Sequence, residues 1–205
     1  MNWLAHVFLS ENHIEHQLGN LLADPLKGRP WEASSERISM GMMIHMHIDT
    51  FTDAHPLVKE SKAAITPRGH LKGVVLDILY DHFLSLHWNA FCTIPREDFL
   101  EDFRLKALQD IEVYPPLAQD IIKRVVGNRQ LSSYAHMDGV VAAFERIDHR
   151  LSVRARGKDN MMRYIPLVAK ERKLLEKNFL LFFPQLMQSV EEKCLRDDIT
   201  HWKGL

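Results

Sequence analysis

With 205 residues, 46% of them hydrophobic, the chain can bury one continuous core and is too short to require several, so a single domain over 1–205 is expected. Its 26 basic and 27 acidic residues leave a net charge of −1, which excludes any global electrostatic pull toward nucleic acid or an anionic membrane. Cys92 and Cys194 lie far apart with no CxxC or Cys/His zinc spacing, which argues against a disulfide framework or structural zinc and fits a reducing cytoplasm.

Apolar residues recur at three- and four-residue spacing along most of the chain, and strict alternation is scarce, so the expected fold is all-α. The opening residues carry no basic region followed by an apolar stretch and do not read as a secretion leader. A first helix is expected from about Asn2 to Ser10. A second, from near Asn12, carries Leu18, Leu21, Leu22 and Asp24 and stops at Pro25, before a Gly28-Arg29-Pro30 loop. Ser34 or Ser35 can cap a third helix, which sets Ile38, Met42, His45 and Asp49 on one face until the Asp53-Ala54-His55-Pro56 segment ends it.

Pro56 can open a short helix to Ile65, and the 66–69 turn precedes a longer one over 70–90 in which Asp77, Asp81 and Leu84 share a side. Helices are also expected over 96–112, 117–126, 138–155 and 167–195. The most apolar short run, Phe179 to Phe183, is interrupted by Pro184, and no run approaches the roughly 20 residues of a membrane span.

Twelve histidines, most before residue 90, direct attention to metal chemistry, because neutral imidazole is a good ligand. His45 and Asp49, at i and i+4, project from one helix face a turn apart, and Asp77 and Asp81 repeat the spacing. The His45–Asp49 face also carries Ile38 and Met42, so it turns inward, where an unpaired carboxylate is costly and a cation removes the cost. Asp81-His82 interrupts an apolar segment, and Asp24 sits at a helix C-terminus, where the helix dipole disfavours a carboxylate. His6, four residues after Asn2, can share a site with it. Nitrogen and oxygen donors without thiolate suit Mn²⁺, Fe²⁺, Mg²⁺ or Zn²⁺. Such an ion activates water toward a phosphoester, and no Gly-rich phosphate loop, GxSxG or HExxH motif supports a competing chemistry.

Four blocks carry a family resemblance: Met1-Asn2-Trp3-Leu4-Ala5-His6; Gly19-Asn20-Leu21-Leu22-Ala23-Asp24; His45 to Asp49 with Phe51-Thr52-Asp53-Ala54-His55-Pro56; and Asp77 through Asp81-His82-Phe83-Leu84 to His87-Trp88. In this order and spacing the chain resembles the bacterial acyl carrier protein phosphodiesterases, a divergent branch of the HD-type phosphohydrolases. The resemblance implies hydrolysis of the phosphodiester joining 4′-phosphopantetheine to a serine of holo acyl carrier protein, with Mn²⁺ as the ion. It implies metal ligation by His6, Asp24, His45, Asp81 and His82, with Asp49, Asp77, Asn20 and Asn2 as the catalytic polar groups. The chain departs from the family at Met46, where Arg is usual, and its pair runs Asp-His rather than His-Asp.

Between Lys123 and Lys177 there are 13 Lys/Arg against 6 Asp/Glu, with Arg146, Arg150, Arg154 and Arg156 close together, a patch able to steer an acidic protein. Two alternatives stay open at this level: the same metal site acting on a nucleotide or other small phosphodiester, and a silent helical module that binds carrier proteins.

Overall fold

The computed structural model describes residues 1–66, 68–194 and 198–204, and among these the only extended pairing is an isolated bridge between Cys92 and Trp202. The helices are α1 (Trp3–Phe8), α2 (Ile14–Leu22), α3 (Glu36–Ala54), α4 (Pro56–Ile65), α5 (Lys72–Leu86), α6 (Trp88–Phe91), α7 (Arg96–Gln109), α8 (Pro116–Ile122), α9 (Gln130–Ser133), α10 (Met137–Arg150), α11 (Val153–Lys158) and α12 (Ile165–Glu191). The all-α expectation holds. No helix among the described residues is long and apolar enough to cross a membrane.

Local chemistry sets several boundaries. Ser35 caps α3 by accepting the Ile38 amide, and His55 both ends α3 and caps α4 ahead of Pro56. The expected 138–155 helix is two, because Ser152 takes the Ala155 amide and starts α11 afresh. The expected 70–90 helix likewise stops at Leu86 and restarts as the short α6. Pro184 lies inside α12 without ending it. Phe182, Phe183, Leu186 and Met187 around it are fully buried, and that burial outweighs the roughly 3 kcal/mol a mid-helix proline costs.

The buried apolar residues form one hydrophobic cluster. Helix α1 packs on α2 and α5, α2 lies along α3, α10 packs on α5, and α12 spans α3, α4 and α5. The α2–α3 contact is close because both helices offer a glycine at the crossing. A Cβ on Gly19 would sit 2.2 Å from the Ile38 carbonyl oxygen, and one on Gly41 would sit 2.2 Å from that of His16. No side chain fits those gaps. This approach carries the backbone of Asn20, next to Gly19, to His45, one turn beyond Gly41.

Candidate metal centre

Helix α1 places His6 in the interior at 1% exposure, and its position is set by α5. Asp81 accepts the backbone N–H of Leu4 at 2.8 Å and of Ala5 at 3.0 Å, one on each carboxylate oxygen. These are first-turn donors that the helix itself leaves unpaired, and the negative cap also suits the positive end of the dipole. Asp81 thus fastens the helix that bears His6. Burial raises its carboxyl to about 7 in spite of the two amides.

Helix α2 supplies Asn20, fully buried, which bonds both imidazoles. His6 Nδ1 lies 2.8 Å from Asn20 Oδ1, and His45 Nδ1 lies 2.8 Å from the Asn20 backbone oxygen. The amide orientation follows from the network: Ser10 Oγ donates to the His6 carbonyl, so it accepts from Asn20 Nδ2 at 2.9 Å, leaving Oδ1 for His6. Both Nδ1 atoms therefore carry hydrogen, and in the neutral rings both Nε2 atoms present lone pairs. The rings stack with centroids 3.9 Å apart.

Those lone pairs face oxygens. His6 Nε2 is 3.3 Å from Asp49 Oδ1 and 3.2 Å from the Met1 carbonyl oxygen. His45 Nε2 is 3.2 Å from Asp49 Oδ2 and 3.4 Å from Asp24 Oδ1, yet it makes no hydrogen bond of acceptable geometry to either and stands as a buried orphan. Acceptors converging on acceptors favour a positive charge among them; the Met1 ammonium, 3.3 Å from Asp49 Oδ1, supplies one on that side, and His45 Nε2 is left without a partner. Donors about 2.1 Å from one ion and at right angles lie roughly 3.0 Å apart, close to the spacing found. Two imidazoles oriented by hydrogen bonds at their other nitrogen, with one or two carboxylates, fit a divalent ion of the harder or borderline kind.

Electrostatics without the ion point the same way. Burial, with the His45 and Met1 charges, lowers His6 to about 4, so its ring is neutral at pH 7. Burial also works against a charge on His45, but Asp24 and Asp49 raise it to about 9, making the proton on His45 a substitute for the cation. Burial opposes the Asp49 charge too, but His45, His6 and the Met1 ammonium hold its carboxyl well below the carboxylate range. The His45 contact lowers Asp24.

The structure thus brings together His6, His45, Asp49 and Asp24. Of these, His6, His45 and Asp49 offer ligand atoms all within 4.8 Å of one another. Two of the expected ligands, Asp81 and His82, lie outside these four residues. Asp81 is committed to the α1 amides and is in no such group. His82, the next residue on the helix, diverges from Asp81 by about 100°; its Nδ1 bonds the Tyr134 carbonyl at 2.8 Å, and its Nε2 is buried without a hydrogen-bond partner. Asn20 bonds the two imidazoles. Asp77 is 3.3 Å from the Met1 ammonium, and burial raises its carboxyl. Asn2 precedes α1, with its Nδ2 buried and without a hydrogen-bond partner.

Beside the centre is a cleft of about 240 Å³ whose lining includes Asn2, Asp24, Asp77, Tyr134, Arg146 and Arg150. Arg154 and Arg156 are exposed on α11 and do not line it. Tyr134 had no signature in the sequence, since a lone tyrosine in a polar turn looks like any other. A second group, Glu11, His16 and Cys194, also gathers ligand atoms, but Arg37 supplies a cation to Glu11 at 3.1 Å.

A family model described as acyl carrier protein phosphodiesterase matches residues 1–186. Curated proteins of that name are similar over nearly the whole chain. One from Yersinia pestis is 30% identical over 197 residues, covering 94% of this chain and 99% of its own. Another, from Yersinia enterocolitica serotype O:8, is 30% identical over 201 residues with the same coverage. A third, from Escherichia coli O6:K15:H31, is 28% identical over 197 residues, covering 95% of this chain and all of its own. No solved structure matches, so the likeness to HD-type folds stands on sequence alone.

Proposed function

The chain belongs to the acyl carrier protein phosphodiesterase family, and we propose that it hydrolyses the phosphodiester between 4′-phosphopantetheine and a serine of holo acyl carrier protein. The observation that carries the metal-dependent form of this reading is the convergence of two hydrogen-bond-oriented Nε2 atoms on Asp49, with His45 Nε2 buried and unbonded.

His6, His45, Asp49 and Asp24 are the residues that would hold the ion, with Mn²⁺ our assignment. When bound, a divalent ion polarises the phosphoryl oxygen and makes a coordinated water acidic enough to attack near neutral pH. The protein's own part is positional. Asn20 keeps both Nδ1 atoms protonated and both Nε2 atoms aimed at the site. Asp77 lines the cleft with Asp24 but lies outside the converging ligand atoms, so it is the carboxylate left to take the proton of the attacking water. Water adds at phosphorus as the bond to the serine oxygen breaks, and the proton taken up by Asp77 passes on to that oxygen, giving apo carrier protein and 4′-phosphopantetheine.

The basic residues of α10 and α11, Arg146, Arg150, Arg154 and Arg156, give this end of the molecule the charge needed to attract an acidic carrier protein. A cytoplasmic location accords with two free cysteines. The test is the mass of holo acyl carrier protein incubated with the protein, with and without Mn²⁺. Metal-dependent loss of the prosthetic-group mass is expected. Asp24→Ala and His45→Ala variants that stay folded yet release the group at the parent rate would show that the site is wrong.

A further inference from the structure

The cleft beside the metal centre has a split character that the hydrolytic site alone does not use. Asp24 and Asp77 place carboxyl groups on its lining, whereas α10 contributes two guanidinium groups, Arg146 and Arg150, spaced i,i+4 along one face. Guanidinium groups do not bind a cation; they bind phosphate, with a planar fork matched to two of its oxygens. Arg146 is half-buried rather than free on the surface. Asn2 and the buried Tyr134 line the same cleft with it. Val74 and Ile78 from α5 and Ile147 from α10 complete the lining with apolar surface.

We propose that this cleft receives the phosphate-proximal half of the 4′-phosphopantetheine arm, with Arg146 and Arg150 on the phosphate and Val74, Ile78 and Ile147 against the branched aliphatic part. The assignment rests on the carrier-protein reading above. An anionic group followed by a short aliphatic segment is what a guanidinium pair next to an apolar wall recognises. The volume sets the extent: sites that enclose a whole small molecule run to about 300–1,000 Å³, and about 240 Å³ holds only part of this arm. The thiol end therefore runs out along open surface. Arg154 and Arg156, exposed on α11 and outside the cleft, are left to meet the protein part of the substrate. The arm and the carrier protein are thus read by different residues of one basic segment.

The test pairs prosthetic-group release from holo acyl carrier protein, followed by mass, with calorimetric binding of free 4′-phosphopantetheine in the presence of Mn²⁺. It compares the parent with Arg146→Met and Val74→Trp. Val74 is partly exposed already, at 39%, so the larger ring narrows the cleft without invading the core, and circular dichroism checks that both variants remain helical. Arg146→Met is expected to bind free 4′-phosphopantetheine about 10- to 100-fold more weakly, the range for losing a hydrogen bond to a charged group, and Val74→Trp is expected to weaken binding by narrowing the cleft, acting mainly on KM. A parent that never removes the group refutes the carrier-protein reading and this assignment with it. An active parent whose two folded variants bind the free arm and turn over substrate as it does overturns the cleft assignment alone.

Discussion

His6 and His45 stack face to face, with ring centroids 3.9 Å apart and planes inclined by 15°. Two cationic imidazoles at that distance repel strongly, so at most one takes up the second proton that makes it a cation. The depression of His6 to about 4 and the elevation of His45 to about 9 express that choice. The pair comes from α1 and α3, and Asn20 of α2 bonds both rings.

Because His45 keeps its proton at pH 7.5 in the absence of metal, and a ligating nitrogen must lose it, Mn²⁺ binding should release about one proton per site. Calorimetric titration in buffers of different ionisation enthalpy measures this. A heat that is independent of the buffer would count against the proton on His45.

The same group sets a pH trend for the metal-free protein. A histidine raised in the folded state stabilises fully below its unfolded value of about 6.5 and loses that contribution as pH rises through the folded value, here about 9. Chelated protein should lose stability between pH 6.5 and 9, by an amount on the order of 3 kcal/mol at most. The Met1 ammonium, also raised, adds a loss of the same sign at the upper end. Thermal melts of His45→Gln should show a shallower decline over this window, and an unchanged slope would remove His45 as its source.

Asn20→Ala leaves the His6 Nδ1 hydrogen and the Ser10 hydroxyl short of a buried partner. A cost of about 1–3 kcal/mol is expected, with Mn²⁺ affinity lower by about 10- to 100-fold. The His45 contact survives, because it uses the backbone. Metal affinity equal to that of the parent would mean that Asn20 does not orient the ligands.

Asp81→Asn separates a helix cap from a ligand. Losing one acceptor of the Leu4 and Ala5 amides should cost about 1–3 kcal/mol, or roughly 2–10 °C in Tm at this chain length, with metal stoichiometry retained. Asp49→Asn should abolish metal binding and also lower the chelated Tm, because it removes the carboxylate that pairs with the Met1 ammonium and His45. Elemental analysis of both variants checks this, and metal lost from Asp81→Asn would return Asp81 to the ligand set.

Gly19→Ala should be more damaging than its one added carbon suggests. The new Cβ meets a backbone oxygen at 2.2 Å, and neither helix has a flexible side chain there to yield. Overpacking of about 1–3 kcal/mol or more is expected, together with separation of Asn20 from His45. A melt indistinguishable from that of the parent would disprove the tight crossing.

What the sequence by itself determined is what depends on neighbours along the chain. Helical periodicity, the Ser35 cap, the Pro56 start and the His45–Asp49 pairing on one face all follow from spacings of three to four residues, and all are present in the fold. The four blocks also placed the chain in its family. Only the tertiary structure decided which faces meet. Asp81 and His82 are adjacent in sequence, yet one caps α1 while the other turns to Tyr134, because successive helix residues point about 100° apart and packing selects the partner of each. Asn20 had no chemical signature of its own. Its role exists because two glycines let α2 and α3 approach until one residue's amide oxygen and backbone oxygen reach two histidines from different helices.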